Sequence, residues 1–172
     1  MSRLARAVLI LGACGVLGGG RPAAAQTPSC KPVIDAMLKV ITTPHHVVSI
    51  DERSARGEVI VADNTTYVLI AGAWRKSPMT PQDQVKQEQE NIRDAKVYTC
   101  TMVRAETVNG IAAVAYKVHS ETPDVGNTDG TVWIAPSLGL PLKTDEDLTL
   151  AGSKKHISLA WDYTNIHAPV VK

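Results

Sequence analysis

The sequence has no phenylalanine, only three tryptophans and four tyrosines, and no excess of basic charge. Its 18 basic residues are balanced by 17 acidic residues, and they form no basic stripe. Because nucleic-acid-binding domains carry such a basic surface, nucleic acid is not an expected partner. The chain also lacks internal repeats, low-complexity tracts and long linkers, which favours a single domain.

The motifs of common catalytic and metal sites are missing too. There is no G-x-S-x-G elbow, no H-E-x-x-H, no P-loop and no Cys-x-x-Cys or paired Cys/His spacing. His45 and His46 are adjacent, but neighbouring side chains of a strand point to opposite faces and do not easily share an ion. Asp124, Asn127 and Asp129 do not follow the EF-hand spacing. We therefore expect a protein that is not an enzyme and has no metal or other cofactor.

The first 25 residues are predicted to be a secretory signal peptide. A short basic start precedes an apolar run over 7–17 that is too short and too glycine-rich to span a bilayer, and 23–25 form a small-x-small cleavage pattern. Cleavage after Ala25 leaves 26–172 as one exported domain, periplasmic or secreted. This mature chain has 15 basic and 17 acidic residues and is long enough to bury a core.

The three cysteines support export and leave one alternative open. Residues 11–14 (LGAC) resemble the lipobox of bacterial lipoproteins, in which Cys14 would be lipidated and would anchor the protein. With Cys14 removed, Cys30 and Cys100 remain as an even number in an oxidising compartment. The simplest interpretation is one disulfide that ties the N-terminal segment to a central strand.

A first helix is predicted over 31–43. Its apolar residues recur at the spacing of an amphipathic helix, i, i+3, i+4 and i+7: Ile34, Met37, Leu38 and Ile41. Ser29 is the expected N-cap. Pro44 ends the helix, because the residue before a proline avoids the α region.

A second helix, predicted from Thr80 to about Asp94, is mostly polar. Thr80 as N-cap, a proline at the first helical position and Asp83 three residues after the cap form a helix start signal. Only Val85 and Ile92 offer a narrow apolar seam. A helix this polar is expected to lie on the surface, either as a solvated face or as a mobile lid over a cavity.

Period-two alternation predicts strands for most of the remaining chain. The predicted strands cover 45–50, 57–62, 65–71, 97–108, 111–120, 131–135, 140–148 and 154–165. Asn-Gly at 109–110 predicts a hairpin, 121–130 a loop and 136–139 a tight turn. The acids at 145–147 alternate faces and are expected at a solvated edge. The result is an α+β fold: one strongly curved antiparallel sheet of about eight strands in meander order, with two helices against one face.

The second half of the chain resembles a known family. The strand with Trp133, the turn into Gly139-Leu140-Pro141, the acid-rich strand after it and the ending over 161–169 look like the C-terminal half of the outer-membrane lipoprotein carrier (LolA/LolB-like) superfamily. The order of helix, three strands, helix and further strands is similar as well. This resemblance implies an unclosed half-barrel, capped by helices, whose apolar concavity takes acyl chains. The absence of phenylalanine leaves room for a smaller or shallower cavity than the carriers have.

The resemblance implies a periplasmic protein that binds a lipid or another hydrophobic ligand in the concavity of its sheet. The lining is predicted from the aromatic and long apolar residues of the strands: Tyr67, Leu69, Trp74, Met102, Tyr116, Trp133 and Trp161. The alternative is an envelope sensor or assembly module that binds a polypeptide through a sheet edge or the concave face.

Overall fold

The computed structural model describes residues 28–171, which form one antiparallel sheet and two α-helices. A 3-10 helix, Pro28–Cys30, comes first. The helices are α1 (Lys31–Thr42) and α2 (Pro81–Asp94). The strands are β1 (His45–Asp51), β2 (Arg56–Ala62), β3 (Thr65–Ile70), β4 (Ala73–Lys76), β5 (Val97–Val108), β6 (Ile111–Thr122), β7 (Gly126–Ala135), β8 (Leu140–Leu150) and β9 (Ser153–Asp162). No helix within these residues is long and apolar enough to cross a membrane.

The sheet consists of two meanders that meet in its centre. The strand order is β4-β3-β2-β1-β9-β8-β7-β6-β5, so the first and last strands are neighbours and α2 crosses between the two outer edges. The sheet is open, since β4 and β5 do not pair with each other. This confirms the predicted half-barrel, with nine strands rather than about eight. The acids at 145–147 lie on β8, an interior strand, and the prediction that they mark a sheet edge was wrong.

Helix α1 is fixed at its start by a disulfide bond. Cys30 and Cys100 are bonded, which confirms the predicted pair. The bond ties α1 to β5, which is an edge strand, so the prediction that it reaches a central strand was wrong. Cys30 is also the N-cap residue and caps without a side-chain hydrogen bond, so the prediction of Ser29 as N-cap was wrong. Because a 3-10 turn precedes α1, the helix begins one residue later than a cap at Ser29 would place it.

The buried face of α1 is centred beside the predicted stripe. Val33, Ala36 and Val40 are buried, whereas Met37 and Ile41 lie half-buried at the flank of this face. The small side chain of Ala36 lets the helix approach the sheet closely. A core of six buried residues, including both cysteines, fills the contact between α1 and the sheet: Cys30, Val33, Ala36, Cys100, Val132 and Ile134.

Helix α2 has the predicted start and lies over the same face of the sheet. Thr80 accepts a hydrogen bond from the Asp83 backbone nitrogen at 3.2 Å, and the Asp83 carboxylate accepts one from the Thr80 nitrogen at 3.2 Å. These reciprocal bonds form a capping box. Pro81 and Ile92 are its buried residues, and α2 packs against α1. The polar helix therefore lies on the surface of the domain, as predicted.

The turn between β5 and β6 lies where the sequence predicted it, whereas the predicted loop between β6 and β7 is shorter than expected. Asn109 and Gly110 join β5 to β6 with φ values of 50° and 81°, the left-handed region that this turn requires. The predicted loop over 121–130 is mostly strand, because β6 continues to Thr122 and β7 begins at Gly126. The polar composition had indicated a loop, but charged side chains such as His119 and Asp129 pair across these strand ends and stabilise the strands.

The two faces of the sheet have different coverings. We call the face that carries both helices the inner face; it includes Val47, Val59 and Trp161, which pair across strands. The other face is the outer face, and it includes His46. His45 and His46 therefore point to opposite faces, as their adjacency in a strand predicted.

Candidate functional site

A cavity of about 260 Å³ lies between the two helices and the inner face. Its wall is mostly apolar, and its lining comes from α1, β1, β2, β9 and α2: Met37, Val40, Ile41, His45, Val59, Val61, Gln84, Glu88 and Trp161. Small-molecule sites are typically apolar concavities with a few polar groups, with volumes from about 300 Å³ upward. This cavity has that character and lies slightly below that size.

The elements around the cavity hold its lining residues in place for simple reasons. The amphipathic spacing of α1 brings Met37 and Ile41 to the side of the helix that faces the cavity. The alternation of β2 directs Val59 and Val61 to the inner face. Trp161 joins them because β9 pairs with β1, so the last strand of the domain stands beside its first.

Helix α2 closes the cavity through hydrogen bonds of its first turns. The Gln84 amide nitrogen donates to the Thr66 hydroxyl at 3.1 Å, and the Gln82 amide nitrogen donates to the Asn64 side chain at 2.8 Å. These bonds connect α2 to β3 and to the turn before it. Gln84 and Glu88, one helical turn apart, then face the cavity.

His45 is a neutral member of the lining. It is 5% exposed, and burial lowers the pKa of its ring, against the smaller opposite effect of its hydrogen bond to the Thr43 carbonyl. Its Nδ1 lies 2.8 Å from that carbonyl oxygen and must carry the proton to donate to it. Nε2 is therefore the acceptor nitrogen of the ring.

Two carboxyl groups, those of Glu88 on α2 and Glu146 on β8, lie near each other between α2 and the inner face. Burial raises the pKa of the Glu146 carboxyl on β8, and the charges of Glu88 and Asp145 add to the increase. Burial also raises the pKa of Tyr98 to about 12, and the same two glutamates, Glu88 and Glu146, contribute to that shift. The carboxylates of α2 and β8 therefore act on a common region beneath α2.

The seven residues predicted to line a ligand site are divided between the two faces. Trp161 lines the cavity. Tyr116 is also on the inner face, where it packs against the core under α1 and lines a second cavity, and Met102 pairs with it at the edge strand with 61% of its surface exposed. Three further residues share the outer face of β3 and β4: Tyr67, Leu69 and Trp74.

Trp133 lies on the outer face of β7, away from the helices. It packs against Ala113, Ala135 and Leu142 and donates a hydrogen bond from Nε1 to the Glu106 carboxylate. The structure therefore brings Trp161, but not Trp133, to the cavity between the helices. That the seven residues bind a ligand stays a prediction.

The prediction missed eight of the nine residues of the cavity lining. Those on α1 were recognisable as the flank of an amphipathic helix, and those on β2 as one face of an alternating strand. The predicted lining consisted mainly of aromatic strand residues instead. No local signal in the sequence distinguishes Val59 and Val61 from other strand valines, because only the position of α2 places a cavity above them.

A second, smaller cavity lies on the other flank of α1. Its volume is about 230 Å³, and Pro32, Asp35 and Ala36 of α1 face Val114, Tyr116 and Ile134 of the sheet across it. Gly139 also lines it, and its left-handed φ of 62° is a conformation that glycine adopts more readily than other residues. Helix α1 therefore separates two apolar spaces.

The outer face carries a groove of about 400 Å³ with a charged lining. His119 Nδ1 lies 2.7 Å from Asp129 on the next strand. His156 lies 2.8 Å from both Asp145 and Asp147. Hydrogen bonds to Asp129 and to Asp147 raise the pKa values of His119 and His156, respectively. No group of three or more His, Cys, Asp or Glu residues within 28–171 is arranged to hold a metal ion.

Comparison with known proteins finds similar folds at low identity. The crystal structure of LprF from Mycobacterium bovis is 12% identical, with a TM-score of 0.45 over 85% of this chain and 96% of that chain. The Mycobacterium tuberculosis lipoprotein LppX is 12% identical, with a TM-score of 0.44 over 81% of this chain and 94% of that chain. MucB, in complex with MucA(peri), is 15% identical, with a TM-score of 0.43 over 83% of this chain and 57% of that chain.

These likenesses concern the fold alone, and TM-scores this low carry no argument about a ligand or a partner. No protein-family model matches the sequence, and no curated protein matches it. The open, helix-capped half-barrel that the resemblance to the lipoprotein carrier superfamily implied is the fold of this chain.

Proposed function

We propose that this protein is an exported binding protein, not an enzyme, that shelters a small lipid or another hydrophobic ligand between its helices and its sheet. The observation that carries the proposal is the cavity of about 260 Å³ with a mostly apolar lining. Burial of apolar ligand surface there would contribute roughly 25 cal/mol per Å². The groove on the outer face is charged and offers no comparable apolar wall.

Helix α2 is the proposed lid. Its mean hydropathy is low because its exposed residues are polar, and its buried residues lie near its two ends, at Pro81 and Ile92. Over the cavity itself α2 contributes only Gln84 and Glu88. A segment with few buried apolar contacts opens at lower free energy than the core. Ligand entry by displacement of α2 therefore leaves the sheet and α1 intact.

Export is part of the proposal. The signal peptide predicted over 1–25 and the lipobox alternative at Cys14 lie outside the described residues. The Cys30–Cys100 disulfide supports an oxidising compartment, where such bonds form and persist. The proposed location is the periplasm or the cell exterior, as one domain over 26–172.

The experiment is native mass spectrometry of the full chain expressed with its own leader and purified from a periplasm, before and after organic extraction. We expect a removable adduct with the mass of a lipid or fatty-acid-like compound. Val59→Trp, which fills the cavity, should abolish the adduct. Ile60→Trp is the matched control, because Ile60 is the half-buried neighbour on the opposite face of the same strand. A clean mass for the wild type, with no uptake of a fluorescent acyl probe, contradicts the proposal.

The alternative is a module that binds a polypeptide through the edge strand β5. This strand has twelve residues, forms one edge of the sheet, and exposes most of its side chains, including Met102 and Val103. Exposed edge strands accept added strands by main-chain hydrogen bonds. In the same spectra this function predicts a polypeptide that co-purifies equally with the wild type and with Val59→Trp, and no lipid adduct.

A further inference from the structure

We propose that the cavity selects a single-chain ligand whose polar end is a hydrogen-bond donor, such as an alkylamine, and discriminates against a free carboxylate. The inference rests on the proposed function and adds the chemical class of the ligand's polar end. It follows from the polar groups that face the cavity.

Those polar groups are acceptors. The carboxylate of Glu88 only accepts hydrogen bonds when ionised. Nδ1 of His45 donates to the Thr43 carbonyl, which leaves Nε2 as an acceptor. Gln84 donates one N–H of its amide to the Thr66 hydroxyl at 3.1 Å, and its carbonyl oxygen is a further acceptor. A ligand group that donates hydrogen bonds therefore finds partners here.

The charge at the cavity also favours an ammonium group over a carboxylate. None of the nine lining residues is lysine or arginine, and Glu88 is the one acidic residue among them. Glu146 on the inner face lies near Glu88, but burial raises its pKa and favours its neutral form, so Glu88 is the carboxylate that sets the charge at the cavity. A carboxylate brought to this region meets like charge, whereas an ammonium group meets opposite charge in a partly buried setting.

The size of the cavity favours one chain. A volume of about 260 Å³ lies under the usual range for drug-sized ligands, roughly 300–1,000 Å³. The second apolar space, of about 230 Å³, is on the opposite flank of α1 and has its own lining. Ala36 lines that second space and is buried, whereas Met37 faces the first one. The helix stands between the two spaces.

The test compares three ligands that share one chain: decylamine, decanol and decanoate. Each is titrated into the delipidated full chain at pH 7 by isothermal titration calorimetry, below its micelle concentration. A charge-assisted hydrogen bond corresponds to about ten- to hundredfold in affinity, and we expect decylamine to exceed decanoate by at least that factor, with decanol between them.

Three variants of α2 separate the effect of Glu88 from that of net charge. Glu88→Gln should reduce the preference for decylamine over decanoate to within about threefold. It should change the affinity for decanol less than the affinity for decylamine, because the decanol hydroxyl loses a charged acceptor but no ion pair, and the side chain keeps its size. Glu88→Lys should reverse the preference. Glu90→Gln, an exposed position two residues further along α2, removes the same charge and should leave all three affinities unchanged.

The possible failures are distinguishable. Decanoate binding as tightly as decylamine, or an unchanged preference in Glu88→Gln, overturns this inference and leaves the proposed function standing. If none of the three ligands binds the wild type, the proposed function itself fails, and the inference fails with it. Thermal unfolding of each variant shows that a lost preference is not a lost fold.

Discussion

The Cys30–Cys100 disulfide is expected to make a large contribution to the free energy of unfolding of the domain. The two cysteines are 70 residues apart in the chain and almost fully buried in the core under α1. In the chain-entropy model, a closed loop of that length stabilises the folded state by about 4 kcal/mol. Cys30→Ala combined with Cys100→Ala removes the cross-link and introduces no polar group into the core.

The assay is equilibrium unfolding in urea of the oxidised wild type and the double variant. With an m-value of about 2 kcal/mol/M, a loss of about 4 kcal/mol lowers the midpoint by roughly 2 M. The reduced wild type is the matched control, because it loses the covalent bond and keeps both sulfur atoms. Its midpoint should lie close to that of the double variant.

The result that would refute this reasoning is a loss below about 1 kcal/mol in the double variant, since loop closure alone gives several times that value. A native fold with full ligand uptake and an unchanged urea midpoint would show that α1 is held by its apolar contacts alone. A folded domain typically has only about 5–15 kcal/mol of stability, so the predicted loss is a large fraction of the total.

Two further predictions concern charge and capping. Carboxylates raise the pKa values of His119 and His156 above the ordinary value of about 6.5. These ion pairs therefore stabilise the fold fully below that pH and lose their effect as pH rises through the raised values. The variant with both histidines changed to Gln should show a smaller fall in urea midpoint between pH 6 and pH 8 than the wild type, and an equal fall would contradict the assignment. Thr80→Ala removes the hydroxyl that caps α2 through the Asp83 nitrogen and should lower the free energy of unfolding by about 1 kcal/mol. Gln89→Ala, on the exposed side of the same helix, should change it by no more than about 0.5 kcal/mol. Equal losses in a thermal melt would show that the cap contributes nothing.

Features encoded within a few residues of sequence were predictable. The capping box at Thr80 and the Asn109-Gly110 turn depend on contacts between residues no more than three or four positions apart. The boundaries of most strands agree with the alternation for the same reason. The extent of β6 and β7 was not predictable in this way, because a cross-strand pair, His119 with Asp129, stabilises strand structure where the polar composition favours a loop.

The two tryptophans Trp133 and Trp161 show why the site was harder to predict. Trp133 lies between Val132 and Ile134, and Trp161 lies between Ala160 and Asp162. Both fit a strand whose side chains alternate between two faces. Trp133 packs on the outer face, whereas Trp161 lines the cavity. A period of two separates the faces within a strand, but the face that meets a helix is set by pairing with distant strands.

By itself, the sequence determined the α+β class, the two helices, the antiparallel sheet, the disulfide pair and the polar character of α2. These follow from spacing, turn chemistry and composition. Only the tertiary structure decided that β1 lies beside β9, that α2 crosses the inner face, and that Val59, Trp161 and Glu88 share one cavity. The physical reason is that strand order and helix placement depend on contacts between residues far apart in the chain, and these contacts leave no periodic trace in the local sequence.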